Sequence, residues 1–176
     1  GTDVPNYEAA LKALPFQGAD IVVITGVDEF IIVDRVLNLA ASGSLVICTT
    51  SSPTATVLLG KLIDLYPPNL HQQARTLMSV GLRCVLAQTL CTKASGDGLV
   101  PAFELLLANP TVKGLLREGK MAQIQTLMGT QGREVGMTTQ ELSLRNLVKK
   151  NLITEQEAFN RSTNPEAFKK ILALPY

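Results

Sequence analysis

An α/β fold is predicted by three features of this 176-residue sequence. Two short apolar runs, Asp20-Ile-Val-Val-Ile-Thr25 and Ser44-Leu-Val-Ile-Cys-Thr49, lie about one helix apart and break into small polar residues, as buried parallel strands do. The helical stretch between them stops at Ser42-Gly43, which completes a βαβ unit. Farther on, two β-like runs flank Ser95-Gly96-Asp97-Gly98, the pattern of a hairpin. Past Ala108-Asn109-Pro110 the pattern turns helical. The sequence therefore divides into a sheet-bearing part, 1–108, and an all-helical C-terminal region, 109–176.

In chain order, Asn6 is placed to cap a short helix over Tyr7–Leu14, which Pro15 and Gly18 end. Phe30–Ala41 carries Phe30, Val33, Leu37 and Ala40 at helical spacing, with Asp28 available as its cap. Pro53 suits the first turn of a helix running to about Leu65, capped by Ser52, and Tyr66-Pro67-Pro68 breaks it. Asn69–Arg83 reads as a polar-faced helix. Cys84–Thr92 and Leu99–Leu107 read as the hairpin strands; Gln88 among apolar residues would need a partner if buried. Helices follow at Pro110–Glu118, Met121–Gly129 and Thr138–Lys150, with two short ones after them. No internal repeat is present.

Composition narrows the function classes. Apolar residues make up 46% of the chain, enough for a sizeable core, and the longest apolar stretches fall well short of the roughly 20 residues that span a bilayer. No secretory signal is visible, so a soluble protein is expected. A formal charge of +1 argues against nucleic acid as a partner. Cys48, Cys84 and Cys91 stand among aliphatic residues without ligand spacing and read as reduced core thiols of a cytosolic protein. His71 is the one histidine, which leaves no basis for a metal site or for Cys/His catalysis.

In parallel sheets ligands gather at the strands' carboxyl ends, so function turns on Thr25-Gly26-Val27-Asp28-Glu29 and Thr49-Thr50-Ser51-Ser52. Asp28 and Glu29 could act at such a site, or simply begin a helix, where acidic side chains suit the macrodipole. The hydroxyls of Thr49 to Ser52 could line a site or satisfy backbone donors at a helix start.

Several of these stretches resemble the hexameric secretion ATPases, and within them the PilT-type retraction ATPases of type IV pili. Ser42-Gly43-Ser44-Leu45-Val46 is similar to the family's Thr-Gly-His-Leu-Val, and Asp64-Leu65-Tyr66-Pro67 to its Asp-x-Phe-Pro. Gln88-Thr89-Leu90 and Glu104 fall where the family has them. Thr111-Val-Lys-Gly-Leu-Leu-Arg-Glu118 resembles the family's Ala-Ile-Arg-Asn-Leu-Ile-Arg-Glu signature and keeps Leu115, Arg117 and Glu118. Gly136-Met137, Leu147-Val148 and Leu152-Ile153 look similar to its closing helices. The likeness runs from about Asp20 to about Ala158 in unbroken order.

The resemblance implies the later part of a RecA-like P-loop NTPase domain, parallel strands plus a hairpin, followed by a helical region. It also implies a cytoplasmic subunit of a homo- or hetero-oligomeric ring, six-membered in the family. Such a ring works at the inner-membrane platform of a pilus or secretion system. Lys113, Leu115, Arg117 and Glu118 would be an interaction element, although a solvated helix end explains their spacing equally well.

The departures bear on chemistry. Family members bind ATP through a Gly-rich loop ending in Lys-Ser/Thr, and these 176 residues hold no Gly-x-x-x-x-Gly-Lys. The expectation is a chain trimmed after that loop, with ATP and magnesium relevant only if the full-length protein carries one. Counted without gaps, the Walker B-like glutamate falls on Gly26 and the box histidine on Ser51. Asp28, Ile31 and Asp34 replace an arginine and other polar positions. Glycine cannot polarise a water, and serine is a poor substitute for an imidazole near a γ-phosphate. Thr25, Gly26, Thr49 and Ser51 would thus border a nucleotide site without serving it. The alternatives are a regulatory or adaptor pseudo-ATPase, and an active enzyme with Asp28 near magnesium and Glu29 orienting water. The second requires the first strand to run on through Val27.

Overall fold

The computed structural model describes residues 3–173, which form two compact units. The first takes residues up to 51 together with 58–83 and 108–121. Its opening helix α1, Tyr7–Ala13, starts where predicted, with Asn6 Oδ1 accepting from the Ala9 N–H at 2.9 Å. A tight 3₁₀ turn at Leu14–Phe16 follows. Strand β1 (Ile21–Thr25), helix α2 (Phe30–Ala41) and strand β2 (Leu45–Thr49) then make the expected βαβ unit. The strands are parallel and in register from Ile21 opposite Leu45 to Thr25 opposite Thr49.

Helix α2 buries Val33, Val36, Leu37 and Leu39, the stripe that its spacing foretold. Helix α3 (Ala55–Asp64) contributes Leu59 and Ile63 to this core. Helix α4 (His71–Gly81) and helix α5 (Pro110–Arg117) pack on each other and add Ala74, Met78, Val112 and Leu116. Gly81 lets α4 approach α2 closely: a Cβ there would lie 3.3 Å from the Ala40 Cβ. Tyr66, nearly fully buried, ends α3's chain segment in a T-shaped contact with Phe30 at 4.8 Å. Its hydroxyl donates to Asp34 Oδ1 at 3.2 Å. Burial and then the Asp34 carboxylate push that phenol well above its ordinary value.

Four expectations are corrected here. The parallel strands are covered on one face only: Val22 and Ile24 are buried, whereas Ile21 and Val23 are 63% and 66% exposed and Leu45 and Ile47 each 49%. An apolar run reports hydrophobicity but not how many layers cover it. Helix α3 begins at Ala55 rather than Pro53, because the Thr54 hydroxyl accepts from the Val57 N–H while the Ser52 hydroxyl is spent on the Thr54 carbonyl. The Asn69–Arg83 stretch splits into a 3₁₀ turn at Pro68–Leu70 and the shorter α4. Of the three thiols only Cys91 belongs to a core; Cys48 and Cys84 are exposed.

The second unit comprises residues 52–57, 84–107 and those from 122 onward. Strands β3 (Cys84–Thr92) and β4 (Leu99–Leu107) form the predicted antiparallel hairpin, paired from Cys84–Leu107 to Thr92–Leu99. Gln88 points to solvent and needs no buried partner. After helix α6 (Met121–Thr130), Thr138 bridges to Leu105, and helix α7 (Gln140–Lys149) starts with Thr139 as its cap. Helices α8 (Glu155–Arg161) and α9 (Pro165–Ala173) complete the unit. Cys91, Ala102, Leu144, Ile153, Ala158 and Phe168 make its core.

Two glutamates tie this unit together. Glu157 accepts from the Thr92 N–H at 2.7 Å and from Arg161 Nε at 2.9 Å, which holds its carboxyl below the usual range and fastens α8 to the end of β3. Glu104, 2% exposed, reaches the first N–H of two helices: Ala55 at 2.7 Å and Gln140 at 3.4 Å. Gln140 in turn donates to Thr89 Oγ1 and to the Arg161 carbonyl, while its Oε1 accepts from Thr163. Among the described residues no helix is long and apolar enough to cross a membrane.

Candidate functional site

The carboxyl ends of β1 and β2 gather the residues that the sequence singled out. Strand β1 stops at Thr25, whose carbonyl accepts from the Tyr7 hydroxyl at 2.9 Å. It does not continue through Val27, as a Walker B-type end at Asp28-Glu29 would require. Instead the chain turns at Gly26, with φ at +70°, and the Gly26 and Val27 N–H groups both donate to the Thr49 carbonyl, at 3.0 and 3.1 Å. No atom lies within 4 Å of a Cβ added at Gly26, so the constraint there is conformation and not space. A glutamate in that left-handed backbone would be strained by about 1–2 kcal/mol. Val27, 2% exposed, anchors the turn.

Asp28 therefore emerges at the surface just past the strand ends. Its Oδ1 accepts from Thr50 Oγ1 at 2.7 Å and from Lys61 Nζ, on α3, at 2.6 Å. The ammonium also lies 3.4 Å from Thr50 Oγ1 and 3.3 Å from the Ser51 carbonyl. Bonds from Lys61 first and Thr50 second hold the Asp28 carboxyl below its ordinary value. Asp28 is thus not the cap of α2. That position belongs to Glu29, in extended backbone, whose carbonyl accepts from the Val33 N–H and whose side chain makes no capping bond. Acidic character alone could not choose between neighbouring carboxylates; the lysine decides.

Thr25, Gly26, Asp28, Thr49 and Ser51 are thus brought together, with Glu29 one residue beyond. Lys61 is the member that sequence reasoning left out, while Thr50, read there as one of four candidate hydroxyls, is the one that bonds Asp28. Lys61 follows Ser51 by ten residues and lies in the last turn of α3, where a basic residue has a sufficient explanation in the helix macrodipole. The pairing was hidden by a separation of 33 residues from Asp28.

The second element lies elsewhere in the same unit. Asn109 caps α5, its Oδ1 accepting from the Val112 N–H at 2.9 Å, and Val112 and Leu116 point inward. Lys113 and Leu115 are half-buried, while Arg117 and Glu118 are exposed at the helix end. Arg117 Nε donates to Ser79 Oγ at 3.4 Å, and its carbonyl accepts from Gln72 Nε2. Glu118 pairs with Lys120 at 2.6 Å, which lowers its carboxyl. The end of α5 is therefore fastened to α4 on one side and open to solvent on the other.

Comparison with known proteins gives the setting. No family model matches the chain. It is 30% identical over 162 residues to a twitching motility protein of Neisseria gonorrhoeae, a match that covers 92% of this chain and 43% of that one. It is likewise 30% identical over 166 residues to the type IV pilus retractation ATPase PilT of Pseudomonas aeruginosa, covering 94% and 48% respectively. Among solved structures, the pilus retraction motor PilT with bound ADP superposes with a TM-score of 0.87 at 29% identity, over 97% of this chain and 47% of that one. The chain spans about half the length of the relatives it matches. Its βαβ unit, hairpin and helices reproduce part of the RecA-like ATPase fold.

Proposed function

We propose, for a relative of the PilT-type retraction ATPases that spans about half their length, a noncatalytic part in a pilus or secretion motor. The chain supplies ATPase-domain scaffold and subunit contacts, and not phosphate chemistry. The ion pair between Asp28 and Lys61 carries this reading, because it closes on itself the acid nearest the strand ends. Gly26, in a backbone that disfavours glutamate, and Ser51, in place of an imidazole, support it.

ATP and magnesium are what the relatives' chemistry calls for, and the residues here do not fit them. A magnesium ion at such a site is held through carboxylate and substrate phosphate. Asp28 already shares its oxygen with an ammonium, and no group of three His, Cys, Asp or Glu converges among the described residues. ATP and magnesium enter only if the full-length protein brings a P-loop to this domain.

Partnership follows from the same kinship. The chain takes its place in a homo- or hetero-oligomeric ring, hexameric as in the family, on the cytoplasmic face of an inner-membrane platform. Lys113, Leu115, Arg117 and Glu118 form the contact element, and the division into 1–108 and 109–176 separates ATPase-derived from helical parts. An adaptor or regulator that joins an active ring fits the same residues. A functional enzyme using Glu29 is the competing reading, which the end of β1 at Thr25 disfavours.

Hydrolysis by the full-length protein separates them. The expected result is no turnover above background, unchanged in Glu29→Gln. Turnover that Glu29→Gln abolishes would establish the enzyme instead.

A further inference from the structure

The mismatch between this strand-end cluster and magnesium has a specific origin in Lys61. Its ammonium, at the surface, faces three kinds of hard oxygen: the Asp28 carboxylate at 2.6 Å, the Ser51 carbonyl at 3.3 Å and the Thr50 hydroxyl at 3.4 Å. Carboxylate, carbonyl and hydroxyl are the donor set that hard divalent cations take from proteins. Thr50 also donates its own proton to Asp28 at 2.7 Å, so the hydroxyl oxygen's lone pairs face away from the carboxylate and toward the ammonium. Two chain segments, the turn after β1 and the loop after β2, are joined through one positive charge.

We propose that the Lys61 ammonium is a built-in replacement for a divalent cation, holding the loops after β1 and β2 together and closing the site to metal. The inference rests on the noncatalytic reading, which it explains at one residue. A covalently attached charge needs no ligand to arrive and no ligand to leave. The cost of evicting the ammonium falls on any incoming cation, which must also dehydrate for a site offering a single carboxylate.

The test needs no nucleotide and so can fail independently of hydrolysis. Mn²⁺ is titrated into the wild-type chain and variants, and bound ion is counted by its electron paramagnetic resonance signal. Wild type is expected to show no saturable binding up to several millimolar. Lys61→Glu replaces the charge with a second carboxylate facing Asp28, and it should gain one site at least tenfold tighter than any wild-type binding. Lys61→Glu with Asp28→Asn should lose that site. Lys61→Met keeps the chain's bulk without either charge and controls for a general effect of removing the lysine. Circular dichroism of each variant confirms that the fold is retained. Saturable wild-type binding that Asp28→Asn removes would overturn the proposal. So would a folded Lys61→Glu chain that binds no better than wild type.

Discussion

Glu104→Ala is expected to destabilise the second unit by about 3 kcal/mol, since two buried helix-start donors each lose an acceptor worth roughly 1–3 kcal/mol. The Ala55 bond, at 2.7 Å, accounts for most of it, and the 3.4 Å bond from Gln140 adds less. Without the carboxylate the first turns of α3 and α7 have no protein acceptor at those N–H groups, so hydrogen exchange should rise there first. The pH dependence gives a sharper test. Burial raises the Glu104 carboxyl above its ordinary value, against the partly restoring pull of the Ala55 and Gln140 N–H groups. A group raised in the folded state contributes stability that is complete below its unfolded value and lost as pH rises through its folded value. Glutamine at 104 does not titrate. The stability deficit of Glu104→Gln should therefore shrink as pH rises from about 4 toward neutrality. A deficit that grows with pH would show that the carboxylate is the favoured buried form.

The other large effect lies at Phe168. This ring is fully buried in the core with Leu144, Ala158, Cys91 and Ile153, and meets Phe159 edge-on at 5.0 Å and 85°. Phe168→Ala should cost about 3–5 kcal/mol, from lost transfer energy plus the cavity left behind. That corresponds to a fall in melting temperature of roughly 10 °C for a chain of this size. Phe168→Leu should lose markedly less. A shift under about 2 °C for the alanine variant would mean that α9 is dispensable to the unit. Glu157 carries the opposite pH sign to Glu104. Its carboxyl is depressed by the Thr92 N–H and Arg161, so its contribution is present near neutrality and disappears as acid protonates it.

Much of this architecture was legible because local rules carry it. Asn6 before Tyr7 and Asn109 before Pro110 are helix starts written in one or two residues, and both asparagines are observed as caps. The Ser95-Gly96-Asp97-Gly98 turn set the hairpin's register. What escaped were features set by partners distant in the sequence. Nothing near Asp28 announces that a lysine 33 residues on will neutralise it, and nothing near Glu104 announces the N–H groups of Ala55 and Gln140. The exposed side of β1 and β2 was illegible for a related reason. Strand composition reports that a surface is apolar, while cover depends on what else packs there. At Gly26 the resemblance implied the loss of a family glutamate, and the structure adds a left-handed backbone in which glutamate would be strained.

The central claim is that these residues keep the scaffold of a nucleotide motor while the strand ends have been closed by an internal ion pair. Calorimetric titration of ATP, with magnesium present, into this 176-residue chain tests it most directly. No saturable heat is expected across the millimolar range. Stoichiometric binding with micromolar affinity, weakened by substitutions at Asp28 or Glu29, would contradict it.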